Sequence, residues 1–422
     1  MMARLVYALL LYLLLPAILL RLFLRGRKQP AYRAHVGERF GIYGRPPVAR
    51  HGPLIWVHAV SVGETRAAQP LIEALQARWP DAKILLTGMT PTGRAAGAEV
   101  YGDRVIQTYL PYDLPDAVGR FLDHFSPSFG VLMETEIWPN LLAACARRKL
   151  PVALVNARLS ARSARGYGRF SALTRPAFAR LSAVAAQASA DAGRLTALGA
   201  PAVEVCGNLK FDVEPAAERR QLGESWRQAL AGRAVWLAAS TREGEEVLLL
   251  DAWCSAPGDV LLVLVPRHPQ RFDEVAGLLA ARGIAYRRRS EGLPTADTRV
   301  WLGDSMGEMA AYYALADVAF IGGSLLPLGG QNLIEAAACD CPVLVGPHTF
   351  NFLSATEDAI AAGAARRVAD APALVDQVQY LLQDARQLAA MRQACGEFAA
   401  AHRGATARTL RLIERCAAQA GC

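Results

Sequence analysis

The first apolar pattern along the chain is also the longest. "LVYALLLYLLLPAILLRLFL" (5–24) runs for twenty residues with Arg21 as its only charge, about the length that crosses a bilayer as a helix. From Pro53 the pattern changes. Short apolar runs, "LIWVHAV" (54–60), "KILLTG" (83–88), "RVIQTYL" (104–110), "FGVLMET" (129–135), "PVALVNA" (151–157) and "SAVAAQ" (182–187), alternate with segments of helical spacing such as Thr65 to Arg78 and Pro115 to His124. The runs are continuously apolar rather than alternating, which predicts strands of a parallel sheet covered by helices on both faces. The pattern pauses over the polar stretch 208–232. It then resumes with "AVWLAAS" (234–240), "VLLVLVP" (260–266), "IAYRRR" (284–289), "TRVWLG" (298–303), "DVAFIGG" (317–323) and "PVLVGP" (342–347). Helical sequence closes the chain from Ala373 to about Ala418. The expected organisation is a membrane anchor (1–30), a first Rossmann-like domain (31–207), a linker (208–232) and a second Rossmann-like domain with the C-terminal helices (233–422), the two doubly wound α/β domains facing a cleft.

Charge gives the anchor a direction. Arg21 near the end of the apolar run and Arg25, Arg27 and Lys28 after it outweigh the single Arg4 before it, so the body is expected on the cytoplasmic side of the membrane. This charge order is the reverse of a signal peptide's. Pro16 and Arg21 leave open whether the helix spans the bilayer or lies in its interface. The 422 residues are 53% hydrophobic and 20% charged, a globular composition, and the net charge of +8 favours an anionic ligand or surface. The eight cysteines, Cys145, Cys206, Cys254, Cys339, Cys341, Cys395, Cys416 and Cys422, include no C-x-x-C, so no metal site is expected from them.

In open α/β sheets ligands bind at the C-terminal ends of strands. In the first half those ends read "SVGE" (61–64), "TGMTPTGR" (87–94), "PYD" (111–113), "ETEIWPN" (134–140) and "NARLS" (156–160). Ser61 and Glu64 have the spacing of a capping box. Glu64 is equally placed to act as a base on a hydroxyl nucleophile. Glu134 and Glu136 carry the same pair of readings, as caps of the next helix or as carboxylates across from Glu64. In the second half, Ser240 and Thr241 with the amides that open the next helix suggest an anion pocket. Arg267 and His268 add positive charge or stacking surface beside it. Gly322, Gly323, Gly329 and Gly330 allow close backbone approach, and Glu335 is placed to take the hydroxyls of a ribose. The dinucleotide fingerprint and the P-loop are both absent, so the expected nucleotide is a leaving-group carrier rather than a redox cofactor or ATP. No D-x-D pair occurs. Carboxylates in one domain and a nucleotide site in the other describe a GT-B glycosyltransferase, with metal-independent, inverting transfer as the expectation.

Between Ile137 and Ala190 there is no acid, yet Arg147, Arg148, Lys149, Arg158, Arg162, Arg165, Arg169, Arg175 and Arg180 all occur. Individually these read as solvated surface; together they suggest an anionic lipid face. Aromatic interleaving is sparse, which disfavours nucleic acid.

The segments "WVHAVSVGE", "METEIWPN", "NARLS", "GNLK", "PRH", "MGE" and "GGSLLPLGGQNLIEA" closely resemble the 3-deoxy-D-manno-octulosonic acid (Kdo) transferases of Gram-negative bacteria, in order and over essentially the whole chain. The resemblance implies transfer of Kdo from CMP-Kdo to the tetraacyl lipid A precursor in lipopolysaccharide biosynthesis. It implies Glu64 as general base, with Glu134 and Lys210 supporting the transition state. Arg267, His268, Met306, Gly307, Glu308 and the run Asn332, Leu333, Ile334, Glu335 would hold CMP; no cofactor beyond the donor is implied. The alternatives from the residues are a GT-B enzyme using a UDP-sugar and a tethered binding protein without catalysis.

Overall fold

The computed structural model describes residues 2–44, 52–253 and 259–419; Cys254 and Cys422 lie outside them. The first seven strands are β1 (Leu54–His58), β2 (Lys83–Gly88), β3 (Val105–Tyr109), β4 (Phe129–Met133), β5 (Val152–Ala157), β6 (Ala183–Ala186) and β7 (Val203–Val205). They form one parallel sheet in the order β3-β2-β1-β4-β5-β6-β7. Successive side chains point to opposite faces, so each apolar run feeds two cores. Leu54 and Trp56 pack with Phe121 and Leu154 on one side, and Ile55 and Val57 pack with Leu71 and Val155 on the other.

The second seven are β8 (Val235–Thr241), β9 (Leu261–Pro266), β10 (Tyr286–Arg288), β11 (Val300–Leu302), β12 (Val318–Ile321), β13 (Val343–Val345) and β14 (Ala365–Arg367). Their order is β10-β11-β9-β8-β12-β13-β14, again parallel. Every run predicted as a strand contains one. The pattern missed β7 and β14, three-residue edge strands with polar members ("VEV", "ARR") that bury little. The helical stretch from Thr65 to Arg78 is two helices, Val62–Ala67 and Gln69–Arg78, with Pro70 in the first turn of the second.

The compact units divide differently from the expectation. One comprises Met1–Val213 with Arg403–Cys422, the other Glu214–His402. The expected linker is not a free connection. Its first residues fold as a tight turn, Leu209–Asp212, burying Leu209 and Phe211 in the first domain. The rest forms the helix Ala217–Ala229, whose Trp226 stacks edge-on to Trp301 in the second. The last helix, Ala405–Gln419, belongs to the first domain. Ala405, Leu412, Ile413 and Ala417 share a core with Ala153, Val155 and Ala185 of its sheet. The Asp212 carboxylate caps this helix, accepting from the amides of Gly404 (2.7 Å) and Thr406 (2.5 Å).

The apolar N-terminus is one helix, Met2–Lys28, continuous through Pro16 and long enough to cross a membrane. One side rests on the first domain. Tyr12 hydrogen-bonds Asp116, which pairs with Arg120 at 2.9 Å. Tyr7, Leu11, Leu15 and Ile18 share a cavity of about 270 Å³ with Tyr112, Asp113, Leu114, Ile137 and Trp138. Leu5, Leu9, Leu13, Leu20 and Leu24 are exposed, an apolar surface that suits lipid.

Candidate active site

Sheet order locates the first cluster. Strand order reverses between β1 and β4, and the loops leaving those two strands carry Glu64 and Glu134. Ser61 caps the helix Val62–Ala67, its hydroxyl accepting from the Glu64 amide (3.4 Å) and donating to the Glu64 carboxylate (2.9 Å). The other carboxylate oxygen accepts from the Val60 amide at 2.9 Å. The capping-box spacing is therefore real, and it locks the orientation of a carboxylate that is 9% exposed. Burial, then the negative charge of Glu134, pushes the Glu64 carboxyl up to about 7 against those two hydrogen bonds.

Glu134 does not continue β4. Its φ is +56°, a conformation that non-glycine residues adopt sparingly and that gathers at functional loops, and its amide donates to the Val155 carbonyl at 2.9 Å. Lys210 reaches its carboxylate at 3.4 Å. Lys210 is itself placed by two asparagines: Asn208 accepts from the Lys210 amide and Asn156 from the Leu209 amide, each at 3.0 Å. Glu64, Glu134 and Lys210 thus come from distant parts of the sequence to one end of one sheet.

Glu136 accepts from the Trp138 indole at 2.6 Å, and burial holds its carboxyl above the usual range. Neither Glu134 nor Glu136 caps the helix Pro139–Arg147. That task falls to Asp113, which accepts from the amides of Asn140 (3.0 Å) and Leu141 (2.8 Å). His58 also went unread in the sequence, because a lone histidine in an apolar run signals only core. It is fully buried, bonds the Thr87 hydroxyl at 2.9 Å and meets the edge of Trp138. Burial lowers its pKa to about 4, so it sits there neutral.

The basic stretch resolves into parts. Arg148 pairs with Asp123 at 2.7 Å, so that cation has a counter-charge the local sequence did not show. Arg162, Arg165 and Arg169 form one exposed stripe along the helix Ala161–Arg169, around a surface cavity of about 460 Å³. None of these three has a carboxylate partner among the described residues.

In the second domain the loops after β8, β9 and β12 converge. A Cβ on Gly322 would lie 2.5 Å from the Ser240 carbonyl oxygen, so only glycine allows that approach. Ser240 has φ of +55°. The Arg267 guanidinium donates to the Gln331 side chain at 3.2 Å. Asn332 donates to Glu335 at 3.0 Å. Partial burial and the surrounding Arg242, Arg267 and Arg271 lower the pKa of His268 and mark a positive neighbourhood.

Four expected contributions change. The Thr241 hydroxyl is spent on Glu246 at 2.8 Å. The amide that opens the next helix, that of Glu245, donates to the Arg242 carbonyl at 3.0 Å, and the Glu245 carboxylate fills the neighbourhood by accepting from the amides of Arg242, Gly323 and Leu325. Leu333 and Ile334 are buried in the core, leaving Asn332 and Glu335 as the side chains of that run at the surface. In the loop after β11 (Met306, Gly307, Glu308), Met306 is exposed, whereas Glu308 is engaged by Arg289 (3.2 Å) and Arg219 (3.7 Å).

Two doubly wound parallel sheets, with a partly buried acid–lysine cluster at the switch point of the first and a glycine-rich loop cluster at that of the second, define a glycosyltransferase of the GT-B class. Solved structures share the fold. HepE of Anabaena, crystallised with UDP, superposes with a TM-score of 0.61 at 13% identity, covering 87% of this chain and 100% of that one. The UDP-GlcNAc 2-epimerase of Neisseria meningitidis gives 0.57 at 15%, covering 86% and 100%. Sequence narrows the class: residues 34–213 match the family described as 3-Deoxy-D-manno-octulosonic-acid transferase. The 3-deoxy-D-manno-octulosonic acid transferase of Bordetella pertussis is 47% identical over 98% of this chain and 99% of its own. That of Haemophilus influenzae is 41% identical over 83% and 84%. The chain belongs to the 3-deoxy-D-manno-octulosonic acid transferase family.

Proposed function

We propose that this enzyme transfers one or more Kdo residues from CMP-Kdo to a hydroxyl of the tetraacyl lipid A precursor, in lipopolysaccharide biosynthesis at the cytoplasmic face of the inner membrane. The observation that carries the mechanism is the Glu64 carboxylate, oriented by Ser61 and Val60 and pushed up to about 7. A carboxylate of that basicity is suited to take the proton of a sugar hydroxyl as the glycosidic bond forms. In one in-line step the hydroxyl oxygen bonds to the anomeric carbon, its proton passes to Glu64 and CMP leaves with the bonding pair, inverting that carbon. Lys210, held against Glu134, offers a positive charge to the developing anion. Arg267, His268, Asn332 and Glu335 are the donor-binding side chains on this reading, and the step calls on no metal or further cofactor. The cations toward the C-terminal end of the apolar helix (Arg21, Arg25, Arg27, Lys28) support the cytoplasmic placement, and the Arg162–Arg165–Arg169 stripe suits an anionic lipid or the acceptor's phosphates.

The test is mass spectrometry of the tetraacyl precursor after incubation with the purified chain and CMP-Kdo, beside Glu64→Gln. The expected result is a mass gain of whole Kdo residues, with the rate lowered about 10²- to 10⁴-fold in the variant. No gain with intact protein and fresh donor would overturn the substrate assignment. A gain at undiminished rate in the variant would return Glu64 to a helix cap.

A further inference from the structure

Glu245 opens the helix Glu245–Trp253, where an acid ordinarily faces water and favours the helix dipole. Here it is fully buried. Its two oxygens take three backbone N–H groups from two loops: one oxygen accepts from Arg242 at 2.9 Å and Gly323 at 2.6 Å, the other from Leu325, on the same loop as Gly323, at 3.0 Å. Gly323 in turn accepts from the Gly330 amide at 2.7 Å, and Gly322 from the Gln331 amide at 3.0 Å. Gln331 receives the Arg267 guanidinium and directly precedes Asn332. A continuous run of hydrogen bonds therefore leads from this buried acid to Arg267 and to the start of the Asn332–Glu335 run. The neighbouring Glu246 binds Thr241 at 2.8 Å and Arg271 at 2.8 Å, tying the loops after β8 and β9 to the same helix.

We propose that Glu245 is a positioning residue for the donor nucleotide, fixing the glycine loop 322–331 against the turn Ser240–Arg242 so that Arg267 and Asn332 are held ready for it. This rests on the reading of the second domain as the CMP-Kdo site. Every group facing Glu245 in this contact set is a donor. A glutamine amide cannot satisfy it in either orientation, because its NH₂ group must meet an N–H. An aspartate keeps the charge but falls short of one loop. Asp317 supplies a control. It is another buried carboxylate of the same domain, held by Arg227, by Arg392 at 3.0 Å and by the Val235 amide at 2.9 Å. It precedes β12 and bonds the first residue of β8, so it sits at the strand-start ends of the sheet, away from the glycine loop.

The experiment measures CMP affinity by calorimetry on the full-length chain in detergent, well below the melting temperature of each variant, for wild type, Glu245→Gln, Glu245→Asp and Asp317→Asn. It is paired with donor and acceptor KM values. Expected are a loss of CMP affinity of about ten- to a hundredfold in Glu245→Gln, a smaller loss in Glu245→Asp, and less than about threefold in Asp317→Asn despite a lower melting temperature. Donor KM rises in parallel and acceptor KM does not. CMP affinity equal to wild type in Glu245→Gln, or in Glu245→Asp should the glutamine variant not fold, overturns the role. So does an equal loss in Glu245→Gln and Asp317→Asn, which would reduce it to general stability. Wild-type chain that binds no CMP overturns the donor reading itself, and this role with it.

Discussion

Glu64 holds a helix end and a proton at once, and the first task prepares the second. The Ser61 hydroxyl and Val60 amide fix the rotamer of the carboxylate, while burial and Glu134 raise its proton affinity to about 7. With Glu64 as the proposed base, kcat/KM is expected to rise through a limb near pH 7 as its carboxyl ionises, and that limb disappears in Glu64→Gln. Stability moves the opposite way. The folded protein binds this proton more tightly than an unfolded chain whose glutamate titrates near 4.5. The contribution of Glu64 to stability is full below that value and falls as pH rises toward 7. The melting temperature of Glu64→Gln minus that of wild type should grow between pH 4.5 and 7 and then level off. A difference independent of pH would show that the proton affinity of Glu64 is ordinary.

At the scale of elements, the helix Ala161–Arg169 presents three arginines from successive turns without carboxylate partners among the described residues. Surface cations near an anionic membrane contribute about 1 kcal/mol each at modest ionic strength. Replacing Arg162, Arg165 and Arg169 together by serine should raise acceptor KM by tenfold or more at low salt, with kcat little changed and the salt dependence flattened. Unaltered acceptor KM would make the stripe ordinary solvated surface. Elements were also what the sequence showed best. Twelve apolar runs became strands because parallel strands buried on two faces must be apolar throughout. Strand-end reasoning singled out Glu64, Glu134 and Arg267, since such positions are set by local order. It could not reach Asp113, Glu245 or Glu246, whose partners lie up to 80 residues away. In a linear reading they are acids near the first turn of a helix. For the same reason it credited the Thr241 hydroxyl with a ligand contact that its packing denies, as the family resemblance did the side chains of Leu333 and Ile334.

At the scale of the molecule, the chain passes from the first domain to the second after Val213 and returns at Arg403. The returning helix fills one core of the first sheet, beside Val57, Leu71 and Val155. Removing residues 403–419 uncovers that core and strips Asp212 of its helix, whereas Glu214–His402 keeps its own. Thermal unfolding of the truncated chain should show the first domain melting much earlier and the second little changed. Limited proteolysis should cut first within 54–205. Loss of both transitions together would mean that the domains depend on each other for stability.

That return also sets an order of events during synthesis. The long apolar helix is made first, yet its domain lacks a wall until residues 405–419 have been made. The second domain, 214–402, is made later and is complete in itself. The half of the enzyme that begins first is thus the half that finishes last. From the completion of its last strand at Val205 until residues 405–419 are made, the first sheet stands with one core uncovered.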